Sequence, residues 1–164
     1  VKKKHPFDNL ILRNMLGPLI AGLQVYLLYV IAHGHYGPGG AFQGGTLLAC
    51  SMILPLLANS RSRWFLTVGK HGAIVMAASG VAIFTGIGAV SMLSGAPFLD
   101  YAALPMGDTP IAEKRSLGIM LIEVGVTLAV AGGLVSLYYS LSRDIRTSEQ
   151  KESEIVTENT GEMA

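Results

Sequence analysis

His33-Gly34-His35-Tyr36-Gly37-Pro38-Gly39-Gly40-Ala41-Phe42-Gln43-Gly44-Gly45 stands between two apolar runs, and its contrast with them sets the class of fold. Six glycines and a proline in thirteen residues weaken or break regular helix. The flanks, by composition and length, read as membrane spans. Irregular backbone at membrane depth survives only where protein covers it or where it lines a watered cavity. The stretch therefore predicts a membrane protein whose first hairpin holds a special site, enclosed by other subunits.

Working outward, the composition agrees. Hydrophobic residues make up 51% of the 164-residue chain and charged ones only 14%, unusual for a soluble domain. The charges gather at the ends and in two short loops. A net charge of +1, with no basic stripe interleaved with aromatics, gives no sign of nucleic-acid binding. Cys50, the single cysteine, has no partner for an internal disulfide and reads as a small buried hydrophobe.

Four spans follow: Leu10 to Ala32, Gly40 to Ala58, Gly72 to Leu93 and Leu117 to Leu141, each approaching the ~20 residues that cross a bilayer core. Counted from Thr46 the second is only thirteen residues, so it must borrow glycine-rich residues from the motif. The expected fold is an all-α integral membrane protein: a four-helix transmembrane domain over residues 1–141, with an irregular Gly/Pro-rich hairpin between helices 1 and 2. The polar, acidic segment 142–164 is expected to be a disordered tail. Lys2, Lys3 and Lys4 resemble the start of a signal peptide, but the full-length apolar run behind them reads as an anchor that stays. Lys and Arg number ten in the N-terminal segment, the 59–71 loop and the tail, and two in the other loops, all in 94–116. The positive-inside rule then puts both termini in the cytoplasm and the motif toward the outside. The proline- and aromatic-bearing 94–116 loop reads as a lid on the membrane surface or against a neighbour.

Small residues predict close helix packing, pointing outward from the chain. Ala78, Ala82 and Gly86 recur every four residues in the third span, and Gly118, Gly125, Ala129, Gly132 and Ser136 form a stripe on the fourth. Glu123 and Thr127 lie on roughly the opposite side of that helix. Such a helix is comfortable when protein surrounds it, either in a compact four-helix bundle or in a larger assembly.

Glu123 is the only acid inside any span. A central Asp, Lys or Arg costs roughly 2.5–3.5 kcal/mol to insert, so a buried acid is neutralised or finds a partner. Either response makes Glu123 a candidate in a proton relay, with Thr127 beside it. The plainer alternative places it ~9 Å from Leu117, near the surface and paired with Lys114 or Arg115. His33 and His35 have no third histidine, acid or cysteine nearby, too few for a structural zinc site with four ligands. They suit hydrogen bonds that fix the turn, or a titratable contact to a water channel. Pro38, Gly39 and Gly40 read as a chain reversal, Phe42 as an apolar plug and Gln43 as a polar group presented from the second helix, ahead of Gly44 and Gly45. Gln24 reads as an interhelical hydrogen-bonding residue. No nucleophile, base and acid assemble into a catalytic set, and no phosphate-loop pattern follows the glycines.

The run from His33 to Gly45 resembles the signature of the MnhB family, the B-type component of multi-subunit sodium/proton (Mrp/Mnh-type) antiporters, which recurs in membrane-bound hydrogenase and related respiratory complexes. Glu123-Val124-Gly125-Val126 is similar to that family's acid-Ile/Val-Gly-Val segment, and the resemblance covers residues 8–141. Ala41 departs from it, standing where the family usually has a glycine. The resemblance implies a subunit of a prokaryotic cell (inner) membrane that is not an enzyme and carries no cofactor. Its implied partners are large antiporter-like and several small membrane subunits, in a complex related to respiratory complex I. The implied function is Na+/H+ exchange by that complex, with Glu123 and the His33/His35 hairpin bordering an ion or proton path. The alternative is a structural subunit in the membrane arm of a redox-driven, hydrogenase-type ion pump.

Overall fold

The computed structural model describes residues 10–34, 40–57 and 68–161, with side chains at 15–34, 40–57 and 68–143. His35, Pro38 and Gly39 lie outside the described residues, as do the arginines of the 59–67 segment. Among the described residues, four helices are long and apolar enough to cross a membrane. They are α1 (Leu10–His33), α2 (Gly40–Leu57), α3 (Lys70–Leu93) and α4 (Ile111–Gly161), with a short 3-10 turn at Tyr101–Ala103 before α4. The molecule is all-helical and multi-pass.

The borrowing expected of the second span is seen in α2. It starts at Gly40, whose φ of +64° suits a residue without Cβ, and takes Ala41 to Gly45 into its first turns. The latter half of the motif is therefore helix, not irregular chain. Ala41 needs no left-handed backbone, so its departure from the family pattern is harmless there.

Packing places α4 at the centre. α1 packs on α2, α2 on α4 and α4 on α3, while α1 reaches α4 at few points. In an apolar 18-residue stretch of α4, 39% of residues are buried within the chain, against 17% in that of α3. The small-residue stripe of α4 has an internal use. A Cβ on Gly80 would collide with the backbone of Ala129 and Gly125, and one on Gly132 with the backbone of Ala77 and Ala73. Absent side chains thus bring α3 and α4 into backbone contact, the packing that substitutes for a hydrophobic drive in lipid. Below this contact Ala49, Met52, Ala73, Ala131 and Val135 form a small core. The other face of α4 meets α1 and α2, so this chain's own helices use both sides of α4.

Ala78, Ala82 and Gly86 are exposed, facing away from this chain's other helices, and a Cβ on Gly86 would meet nothing among the described residues. Residue 80 is turned roughly 200° from residue 78, and Gly80 is where the α4 backbone comes closest. Cys50 is also exposed rather than buried. Gln24, half-buried, makes no interhelical bond among the described residues.

The segment between α3 and α4 folds back onto its own helices. Gly95, with φ +79°, closes α3 in a Schellman arrangement: its N–H donates to the Met92 carbonyl and that of Ala96 to Ser91. Phe98 then sits over Gly88, edge-on to Phe84 with ring centroids 6.2 Å apart. The Asp100 carboxylate accepts from the Ala102 N–H at 3.0 Å, and Tyr101 covers Gly118. At the other end, the Tyr139 hydroxyl donates to the Val68 carbonyl at 3.1 Å and ties α4 to the approach to α3. Past Leu141, where a disordered tail was expected, the backbone continues α4 to Gly161. No glycine or proline interrupts residues 134–160, so no breaker stops the helix at the membrane edge.

Candidate functional site: the junction of α1, α2 and α4

The motif brings the end of α1 and the start of α2 against the polar side of α4. Glu123 is 8% exposed, buried by the chain itself. Its carboxylate lies against Gly34, the residue that follows α1: a Cβ built there would be 2.6 Å from Oε1 and 3.1 Å from Oε2. Only a residue without a side chain admits the acid at this position. One turn further along α4, the Thr127 hydroxyl donates to the Ala41 carbonyl at 3.1 Å and sits beside Gly44. A Cβ on Gly45 would come within 2.6 Å of Val130 Cβ and 2.9 Å of the Thr127 carbonyl, so α2 and α4 approach closely here too. Among the described glycines of the motif, Gly34, Gly44 and Gly45 serve close approach and Gly40 supplies a positive φ.

The surface-pair alternative for Glu123 does not fit this geometry. α4 begins at Ile111, not near Leu117, which puts Glu123 twelve residues or ~18 Å along it. Arg115 is eight residues back, ~12 Å along the axis, and Lys114 is turned roughly 180° to the opposite face.

His33 stays on the rim. It is exposed, stacks on Tyr29 with centroids 4.5 Å apart, and its Nδ1 is 3.2 Å from the Tyr29 carbonyl. A carbonyl only accepts, so Nδ1 carries the proton in that bond and Nε2 is left for other contacts. Tyr26 stacks on Tyr29 in turn, at 6.1 Å. Between α1 and α2 lies a cavity of about 170 Å³ lined by Tyr26, Tyr29, His33, Gly34, Gly40 and Gln43, with Val30. Gln43 thus faces a cavity, and Phe42 is 66% exposed. Among the described residues no three His, Cys, Asp or Glu side chains converge.

Sequence reasoning singled out Glu123, Thr127 and Gln43, which the fold brings to the motif, but it missed Gly34, the Ala41 carbonyl and the two tyrosines. The tyrosines had a signal: Tyr26, Tyr29 and His33 fall on one side of α1, a polar aromatic stripe inside a span.

Fold and junction together define a class: a multi-pass helical membrane protein with an acid sealed among its own spans beside a glycine-rich helix junction. Residues 11–136 match the family described as a domain related to the MnhB subunit of Na+/H+ antiporter. The chain belongs to that family. It is 34% identical over 134 residues to the B-type component of the Na+/H+ antiporter of Bacillus subtilis, covering 75% of this chain and 90% of that protein. The corresponding Na+/H+ antiporter component of Alkalihalophilus pseudofirmus is 32% identical over 120 residues, covering 68% of this chain and 80% of its own length.

Proposed function

We propose that this chain serves as an integral-membrane subunit of a multi-subunit Na+/H+ antiporter and that its α1–α2–α4 junction borders the ion or proton path. Membership of the MnhB family supports the first part, and the names of both relatives favour an exchanger over a hydrogenase-type arm. One observation carries the second: the Glu123 carboxylate, buried in a span, rests against Gly34 of the motif. A carboxyl group in that position takes up and releases a proton, and Thr127 and the motif backbone hold α2 against its helix. The partners are the other membrane subunits of the complex, large antiporter-like ones and small ones. The subunit is not an enzyme; it resides in the prokaryotic cell membrane with both termini in the cytoplasm. His33 is assigned to the rim of the path, and His35, which lies outside the described residues, is a further candidate for it.

Replacing Glu123 by Gln keeps size and hydrogen bonding but removes titration. In complexes purified and reconstituted at equal subunit content, Glu123→Gln should lower Na+/H+ exchange at least ten-fold. Exchange at the wild-type rate in fully assembled complexes would sink the path assignment and leave a structural subunit.

A further inference from the structure

We propose that the cavity between α1 and α2 is a water-filled access site through which protons reach Glu123, with Gly34 as the opening between the two. The inference rests on the assignment of Glu123 to the path and adds the route and its chemistry. Gly34 lines the cavity and is also the residue against which the Glu123 carboxylate lies. The cavity and the acid therefore share one wall, and that wall has no side chain.

The lining suits water. Tyr26 and Tyr29 bring phenol hydroxyls, Gln43 brings an amide, and His33 keeps Nε2 because Nδ1 is engaged with the Tyr29 carbonyl. Phenols and amides both donate and accept, which is what a hydrogen-bonded water chain requires of its walls. No carboxylate is among the described lining residues. A bare sodium ion, with its need for a full shell of oxygen ligands, is poorly served there, while a proton passed along waters is served well. About 170 Å³ leaves space for several waters, since one occupies ~30 Å³ in the liquid. At membrane depth the alternative occupant is a lipid tail, which four polar groups would not welcome.

Water access is read directly by thiol chemistry in membrane vesicles holding the assembled complex. Gln43→Cys, in a Cys50→Ala background, should react with a charged, membrane-impermeant methanethiosulfonate. Native Cys50 is the internal comparison: seven residues on and exposed on nearly the same side of α2, but ~10 Å along the helix and outside the cavity lining. It should react at least ten-fold more slowly. Tyr29→Cys on the opposite wall should behave like Gln43→Cys, and serves if that variant fails to assemble. Cavity cysteines that stay unmodified until the complex is denatured would overturn the proposal, and so would equal reaction at Cys50, because the whole face would then be wet. Gly34→Ala tests the opening. The added methyl meets only the flexible end of Glu123, so the complex should assemble while the displaced carboxylate loses the cavity and exchange falls at least ten-fold. Exchange at the wild-type rate in Gly34→Ala would remove Gly34 from the route. Labelling does not depend on transport. Loss of exchange in Glu123→Gln with unlabelled cavity cysteines therefore defeats this inference alone, whereas labelled cysteines with normal exchange in Glu123→Gln defeat the path assignment it rests on.

Discussion

A hydroxyl inside a membrane span has to bond to something, and Thr127 bonds across helices to the Ala41 carbonyl at 3.1 Å. Interhelical hydrogen bonds in lipid average only ~0.6 kcal/mol and reach ~1.7 kcal/mol at most, because the separated helices also find partners. Thr127→Val should therefore cost the complex a small amount of thermal stability, and Thr127→Ser, which keeps the donor, should restore it. Glu123→Gln belongs to a different kind of effect. Its carboxylate already fits against Gly34, and the amide is the same size, so stability should hold while exchange drops. Thermal unfolding and exchange rate, measured on the same two variants, separate a residue that holds α2 on α4 from one that titrates. A Thr127→Val variant as impaired in exchange as Glu123→Gln would make the hydroxyl part of the path.

Between helices, backbone contact at Gly80 and Gly132 sets how closely α3 approaches α4. A side chain there meets main chain, which cannot swing aside, and overpacking of this kind costs roughly 1–3 kcal/mol or more. Gly80→Val should reduce the yield of folded chain in membranes, while Gly86→Val, facing open space nearly two turns on, should leave the yield of the chain expressed by itself unchanged. Both glycines look alike in sequence, and this is where legibility ends. Span number, the ends of the first three spans and the demand that α2 absorb motif residues follow from hydropathy and length alone, which is why they are visible in one chain. Which of two small-residue stripes on α3 packs inward depends on the shape of α4, and a single helix's periodicity does not contain that. The same holds for the site. Glu123 stands out because one acid in a span is costly, but its neighbour Gly34 is one of six glycines in the motif. Only the crossing of α1 and α4 distinguishes it. Phe98 over Gly88 was equally hidden, since a proline-bearing loop carries no signal of where it folds back.

Across the whole molecule the four helices form a row with α4 flanked by α3 on one side and by α2, then α1, on the other. That row leaves large apolar side chains such as Val25, Leu28, Val81 and Leu137 more than half exposed on its outer surfaces, as lipid or adjoining subunits require. The charge asymmetry carries the proposed orientation of the row. Four Lys and Arg precede or begin α1, three lie between residues 59 and 71 and three follow Leu141, against two in the 94–116 segment. Basic residues near span ends are retained in the cytoplasm, and on the topology proposed from that rule the Gly34 and Gln43 end of the α1–α2 pair would face outward, toward external protons. A periplasmic-type reporter such as alkaline phosphatase should be active when fused at Asp108 and inactive when fused after residue 161; a cytoplasmic reporter should show the reverse. Removing Lys2, Lys3, Lys4 and Arg13 leaves six basic residues against two and should weaken the preference without inverting it. Active phosphatase after residue 161 in the unaltered chain would turn the row over, and the cavity would then open to the cytoplasm and draw its protons from there.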